Sequence, residues 1–511
     1  MKKYIIILCI SLFVLTSCSK WLDVKPMSEV EQSTLFQTET GFQEALNGVY
    51  ATCNTSQSYG ELTCGFLDYL VGNYSQNTLS GLSGSTYKPF FTYDYTNSDA
   101  ISKSDMIWQQ LYKSIALCNA ILDNIDTKKN IFSGNNYGVI KGEALALRGY
   151  LHFDLLRLYA PSYASNPDAV AIPYITEFSL KGAPRSKVSE VLTKIITDLN
   201  AAKLLLKSSD PILSTTYVVG YPTTTKDAVN TKYTNENTGK NIFFNNRRDR
   251  LNYYAVCGTL ARVSLYKQDK VTALANALEV INAKNTVNGV VVDKFPWSTK
   301  ERITTSDPEL KDRIFYTELI FGWYSPGLKT DLINKFENSN QGMYTSLAYF
   351  NNAFETGSGG PGGTDMRYAN LYNSLSNVSG DMMLTYKYHR DASSNMYDLR
   401  LPAIRLSEMY YIAAESAFDT DPVQAWTYFN KVRFQRGITA TLSGNDKNLF
   451  ISELVKESRK EFFAEGQLFY LFKRLNKSIN TINGTNIPAS NKIFVLPIPD
   501  AELQYGSTVT Q

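Results

Sequence analysis

Histidine is nearly missing from this chain: His152 and His389 are the only two in 511 residues. That leaves few bases for a Ser–His–Asp or Cys–His constellation and argues against a histidine-built zinc site. His152 sits between Leu151 and Phe153 in a helical pattern and reads as a packed or hydrogen-bonded residue. His389, in "YKYHRD", reads as loop or strand. Cysteine is also scarce, with six residues and no CxxC spacing, so no metal knuckle is indicated. No phosphate-binding GxxxxGK[ST] and no GxSxG elbow occurs. "GSGGPG" at Gly357–Gly362 matches GxGxxG in form only: no apolar strand precedes it, no helix follows, and Pro361 interrupts it. A charge excess is missing as well. The chain carries 51 basic and 48 acidic residues, a formal charge of +3, which excludes a large nucleic-acid footprint. Catalytic residues, cofactor, metal and nucleic-acid partner are all read as none.

The one strongly apolar run lies at the start. Lys2 and Lys3 precede Tyr4 to Leu15, a run shorter than the roughly 20 residues of a spanning helix. It reads as a secretory signal peptide over 1–17. Leu15-Thr16-Ser17-Cys18 resembles the bacterial lipobox, which implies cleavage before Cys18 and its acylation. Several acyl chains together anchor stably. Among the later cysteines, Cys53 and Cys64 lie close enough in sequence to pair in an exported protein, and the sequence leaves that pairing open.

What the chain has in quantity is aromatic residues: 34 Tyr, 26 Phe and 5 Trp. Helical stripes fill both ends. Phe42, Leu46 and Val49 mark one over 38–52, with Thr38 or Thr40 as its cap. Ile107, Leu111, Ile115, Cys118 and Leu122 mark another over 104–125. Further helices are predicted over 139–159, 186–207, 250–267, 271–283, 402–418, 423–436, 449–464 and 467–474, with Gly437 closing the helix before it. Short links and small residues at Ala255, Gly258, Ala261, Ala273, Ala275 and Ala277 make these pairs resemble tetratricopeptide hairpins without a strict repeat. Between them, 71–104, 208–246 and 286–397 are rich in Gly, Ser, Asn and Tyr. Loops this long are functional or disordered, and their aromatic content argues against disorder. The expected fold is mainly α: irregular tetratricopeptide-like helix pairs forming a platform, with long loop-rich insertions and few short strands. Its regions are an N-terminal helical part 18–285, an insertion 286–400 and a C-terminal helical part 401–511, folded as one compact unit.

Carboxylates are plentiful, and a glycosidase needs only two; Asp365 with Asp391 is one pair that folding would have to bring together. In "SRKEFFAEGQLFYLFKR", Ser458–Arg474, the aromatics are expected to pack inward while Arg459, Glu461, Glu465 and Arg474 form local ion pairs.

Several blocks then share one resemblance. "CSKWLDVKP" from Cys18, "EALALRGYLHFDLLRLYA" from Glu143, "LPAIRLSEMYYIAAES" from Leu401, "YFNKVRFQRG" from Tyr428, the Ile451–Arg474 helix and "VLPIPDAEL" from Val495 occur in the order found in the SusD/RagB-like outer-membrane lipoproteins. The resemblance implies a cell-surface protein, lipid-anchored in the outer membrane, that binds a glycan and delivers it to a SusC-like TonB-dependent transporter, without enzymatic activity. Peptide capture by the same fold, a tethered carboxylate-dependent hydrolase and a pure scaffold are the rival readings. No family motif carries the binding residues. Aromatic type and loop position select Tyr74, Tyr87, Tyr95, Trp297, Trp323, Tyr324 and Tyr344 as ligand contacts, while Trp108 is assigned to the core. Cys18→Ala is expected to release the protein from the membrane fraction, which fractionation and immunoblotting would show.

Overall fold

The stripe around Leu151 becomes a helix over Asn136–Tyr159 that is buried on nearly every side, as a helix at the centre of a large helical domain must be. In the computed structural model the described residues are 34–74, 82–179, 182–222, 234–237, 242–338, 342–377, 380–390, 392, 395, 397 and 400–506. Cys18, the segment 1–17 and Asp391 lie outside them. The main helices are α1 Glu39–Cys53, α2 Ser98–Ile125, α3 Asn136–Tyr159, α4 Val188–Ser209, α5 Tyr253–Tyr266, α6 Lys270–Ile281, α7 Leu347–Phe354, α8 Met366–Asn370, α9 Leu406–Ala417, α10 Pro422–Gln435, α11 Lys447–Glu461 and α12 Gln467–Leu475. From α1 to α6, then α9 and α10, each packs against the next, which gives the irregular helix-pair platform.

Local chemistry sets these boundaries. Thr38 caps α1, its hydroxyl accepting the Gly41 N–H at 3.0 Å. Asn97 caps α2, accepting from Asp99 N, so that the helix begins at Ser98, six residues ahead of the predicted Ser104. Asp421 caps α10, with Pro422 at the first helical position, where a missing N–H costs nothing. Gly437, at φ +89°, ends α10 as expected. Gly142 and Gly149 let α3 approach α4: a Cβ at Gly142 would sit 2.8 Å from Leu206 Cγ.

The strands are short. They form antiparallel ladders of β1 Val170–Pro173 with β2 Arg185–Lys187, β3 Lys284–Val287 with β4 Val290–Asp293, β5 Leu319–Tyr324 with β9 Arg400–Arg405, β10 Ile479–Asn480 with β11 Asn486–Ile487, and a three-stranded sheet in the order β6 Tyr344–Ser346, β8 Gly380–Thr385, β7 Tyr372–Asn377. One boundary is moved by strand pairing. The helix expected from Pro402 begins at Leu406, because 400–405 pairs with β5 and all six of its residues are buried; tertiary pairing overrides the helical pattern there. Cys53 and Cys64 are free, buried thiols, with burial raising Cys53 to about 12. Their possible disulfide is not formed.

Charge is buried in quantity and paired over long range. The Glu461 carboxylate, fully enclosed, meets Arg405 Nη1 at 2.5 Å, Arg436 Nη2 at 2.7 Å and Arg367 Nη1 at 2.9 Å. Burial alone would raise its pKa; Arg436 and Arg405 hold it well below the usual range. Arg436 also grips Glu318 at 2.6 Å, and Lys387 meets Glu465 at 2.5 Å. The expectation of local pairs for Glu461 and Glu465 is therefore corrected: a sequence displays only neighbours along one helix, and these partners come from other elements. On α3, Glu143 takes Arg247 at 2.5 Å and Arg148 takes Asp198 at 2.6 Å. His152 is neutral, pushed down to about 3 by burial; its Nδ1–H donates to Arg148 O at 2.8 Å and its Nε2 accepts from Ile175 N at 3.0 Å. Glu461→Gln, which leaves three guanidinium groups short of one charge, is expected to cost about 3–5 kcal/mol of stability, measurable as a lower midpoint in urea.

Candidate functional site

The β5–β9 ribbon ends in an aromatic pair whose members face opposite ways, because successive strand residues alternate sides. Trp323 points inward with no exposed surface. It stacks on Tyr59 at 4.0 Å and meets Phe321 edge-on at 4.6 Å. Tyr324 points outward and is 36% exposed. Arg400, its ladder partner, places its guanidinium 5.2 Å from the Tyr324 ring and 5.2 Å from the Tyr316 ring. Asp249 fixes that guanidinium through bonds of 2.6 and 2.9 Å.

The layering continues behind it. Arg248 lies 4.4 Å from the Tyr316 ring and is held by Glu236 at 2.8 and 2.6 Å. Tyr316 stacks on Tyr397 at 5.0 Å, and Tyr397 meets Tyr221 at 5.3 Å. Arg302 covers Tyr221 at 4.7 Å. The Tyr221 hydroxyl donates to Asp312 Oδ2 at 2.8 Å, which also accepts from Ser298 Oγ at 2.8 Å. Burial raises the Tyr316 and Tyr221 phenols, so neither serves as a base at neutral pH. The stack thus offers one exposed flat ring, Tyr324, held from behind by a buried guanidinium and a half-buried carboxylate. That set suits the face of a sugar.

The other predicted contacts lie elsewhere. Tyr74 and Tyr87 are buried around Tyr69, at 4.9 and 5.0 Å, and Tyr87 donates to Glu61 at 3.1 Å. Tyr95 is half-buried and donates to Ile493 O at 2.8 Å. Tyr344 is buried with Met382 and Leu384. Trp297 is half-buried against Tyr410 at 5.2 Å. Tyr74, Tyr87, Trp323 and Tyr344 have their faces taken by the protein interior, which corrects their selection as ligand contacts. Trp108 is buried, as assigned. Tyr221, Tyr316, Arg248 and Arg400 were not singled out: they are far apart in sequence, and no spacing announces the stack. Asp365 is buried against Arg367 at 2.7 Å. Among the described residues no group of three or more His, Cys, Asp or Glu is placed to hold a metal ion, and no helix is long and apolar enough to cross a membrane. A partly open cavity of about 80 Å³ has a mainly apolar and aromatic lining, and the charges in it include the pairs Arg262 with Glu408 and Arg474 with Glu415, both at 2.6 Å.

Fold and site together define a mainly α, tetratricopeptide-like platform with an aromatic, arginine-backed surface. Residues 230–511 match the model described as the SusD family, and residues 20–236 match one described as "Starch-binding associating with outer membrane". The chain belongs to the SusD family. Among relatives, the SusD-like protein P25 of Formosa agariphila is 23% identical over 99% of this chain and 97% of its own. The SusD-like protein P38 of the same organism is 21% identical over 96% and 94%. Among solved structures, a SusD superfamily protein of Bacteroides thetaiotaomicron matches with TM-score 0.68 and 20% identity over 92% of this chain and 98% of that one. A SusD-like carbohydrate binding protein of Bacteroides vulgatus matches with TM-score 0.66 and 18% identity over 92% and 96%.

Trp323→Ala is expected to destabilise the protein by about 3–5 kcal/mol through the cavity it leaves. Tyr324→Ala, one residue on, should change the thermal midpoint little. Paired melting curves check both.

Proposed function

We propose that this protein is a cell-surface glycan-binding lipoprotein of a nutrient importer. It takes up an oligosaccharide or polysaccharide segment and delivers it to a SusC-like TonB-dependent transporter in the outer membrane, with Cys18 as the lipid anchor. The observation that carries the reading is the exposed Tyr324 ring backed by Arg400 and Asp249. A pyranose ring would lie on the exposed part of the tyrosine ring, which the Arg400 guanidinium, fixed by Asp249, holds from behind. The starch-binding description of the model matched by residues 20–236 and the carbohydrate-binding relative from Bacteroides vulgatus support the ligand class.

The site binds rather than transforms. Its carboxylates are committed: Asp249 to Arg400, Glu236 to Arg248, and Asp312 to two hydroxyls and to backbone N–H groups. The ligand is therefore expected to leave unchanged.

Calorimetry of the mature chain against a panel of neutral oligosaccharides tests this. Binding without released product is the expected result, weakened about tenfold in Tyr324→Ala, the loss typical of an aromatic anchor. Product release would support a hydrolase instead. Binding of peptides but of no glycan would move the assignment to peptide capture.

A further inference from the structure

Arginines buried in this protein follow one rule. Arg148, Arg157, Arg247, Arg248, Arg262, Arg367, Arg400, Arg405, Arg433 and Arg436 each lie against a carboxylate. Arg459, on α11, is the exception among the described residues. It is 8% exposed, and its guanidinium is held only by neutral acceptors: Val71 O at 3.2 Å, the Asn73 side chain and Asn480 O. Burial lowers its pKa to about 10, offset only in part by the charge of Asp68. Asp68 itself bonds Asn73 rather than Arg459.

The exception opens onto a cleft. A cavity of about 410 Å³ lies between α7, α11 and the β10–β11 hairpin, lined among others by Tyr349, Arg459, Lys477, Asn480 and Asn483. Lys477 likewise has no carboxylate partner among the described residues. The remaining cation in the cleft lining, Lys456, is neutralised by Glu355 at 2.9 Å and Glu453 at 2.6 Å. A second cleft of about 440 Å³ shares Lys477 and Ile451 with the first. There Lys270 and Lys447 both meet Asp419, and Arg474 meets Glu415. The first cleft therefore carries two positive charges without a carboxylate partner, Arg459 and Lys477, amide and hydroxyl groups along its wall, and an aromatic ring, Tyr349, that is 39% exposed; the second adjoins it at Ile451 and Lys477.

We propose that the first cleft is a second saccharide site, selective for anionic glycans, in which Arg459 and Lys477 receive carboxylate or sulfate groups and Tyr349 receives a ring face. A charged fork and a point charge supply the anion contacts; the asparagines reach hydroxyls. The proposal extends the glycan-binding reading but shares no residue with the Tyr324 stack, so the two fail separately.

The test is calorimetry on the mature chain with tetragalacturonate, a sulfated tetrasaccharide, a neutral tetrasaccharide and tetraglutamate. At least one anionic saccharide should bind. Its affinity should fall about fivefold in Lys477→Glu, fall also in Arg459→Gln at unchanged thermal midpoint, weaken with added salt, and stay the same in Tyr324→Ala. Comparing the two anionic arms tells which anion the cleft takes. Lys477 is exposed, so its variant remains informative if Arg459→Gln fails to fold. Three results would overturn the proposal: neither anionic saccharide binds, Lys477→Glu binds as tightly as the parent, or tetraglutamate binds as well as the saccharide.

Discussion

One buried carboxylate, Glu461, sets the geometry on which the rest depends. Three arginines from three other parts of the chain converge on it: Arg367 from α8, Arg405 from the end of β9 and Arg436 from the end of α10. Such a cluster adds little net stability over a well-packed apolar core, but removing one partner is severe. Its consequence here is register. Arg405 pairs with Leu319 at one end of the β5–β9 ladder, and Arg400 pairs with Tyr324 at the other. Glu318, just before β5, is bound by Arg436. Both strands are thus clamped at the same end to the same guanidinium network. The opposite end, about 17 Å away for a six-residue strand, is where Tyr324 and Arg400 emerge. A slip of one residue in this ladder would bury Tyr324 and expose Trp323.

The abundance of tyrosine has a second explanation besides ligand binding. Tyr50 donates to Glu143 at 2.8 Å, Tyr59 to Asp154 at 2.6 Å and Tyr174 to Asp198 at 2.6 Å. Each of these carboxylates also bonds an arginine. A phenol at the end of an apolar ring satisfies a spare lone pair deep inside without adding charge. Tyrosine is thus the residue by which this interior tolerates so many buried ion pairs. Its count predicts a polar core as readily as a binding surface, and among the candidate aromatics Tyr87 plays that part, donating to Glu61.

This explains what could be read in advance. Helix periodicity is a local property, so α1 to α6 and α9 to α12 were legible within a few residues, and so was the packed role of Trp108 and His152. The strand over 400–405 was not, because its partner lies some eighty residues upstream and its own pattern continues into a helix. Glu461 was assigned to local pairs for the same reason. Among the seven aromatic candidates, the sequence could not say which side of a strand or loop each would occupy. Trp323 and Tyr324 are neighbours with opposite fates, decided by strand alternation in a ribbon that the sequence does not display.

Exposure alone does not mark a binding aromatic either. Tyr505 is far more exposed than Tyr324, yet no cation–π contact or fixed carboxylate accompanies it among the described residues. What sets Tyr324 apart is the rigidity behind it. Arg400 is fixed by Asp249, Tyr316 is fixed by Arg248, and Arg248 is fixed by Glu236. A sugar bound there, as proposed, would meet groups already ordered by the fold, so little conformational entropy would be lost on binding. The charge network at Glu461 holds one end of the β5–β9 ladder, and separate arginine–carboxylate pairs, Arg400 with Asp249 and Arg248 with Glu236, order the other end beneath the surface proposed to meet the ligand.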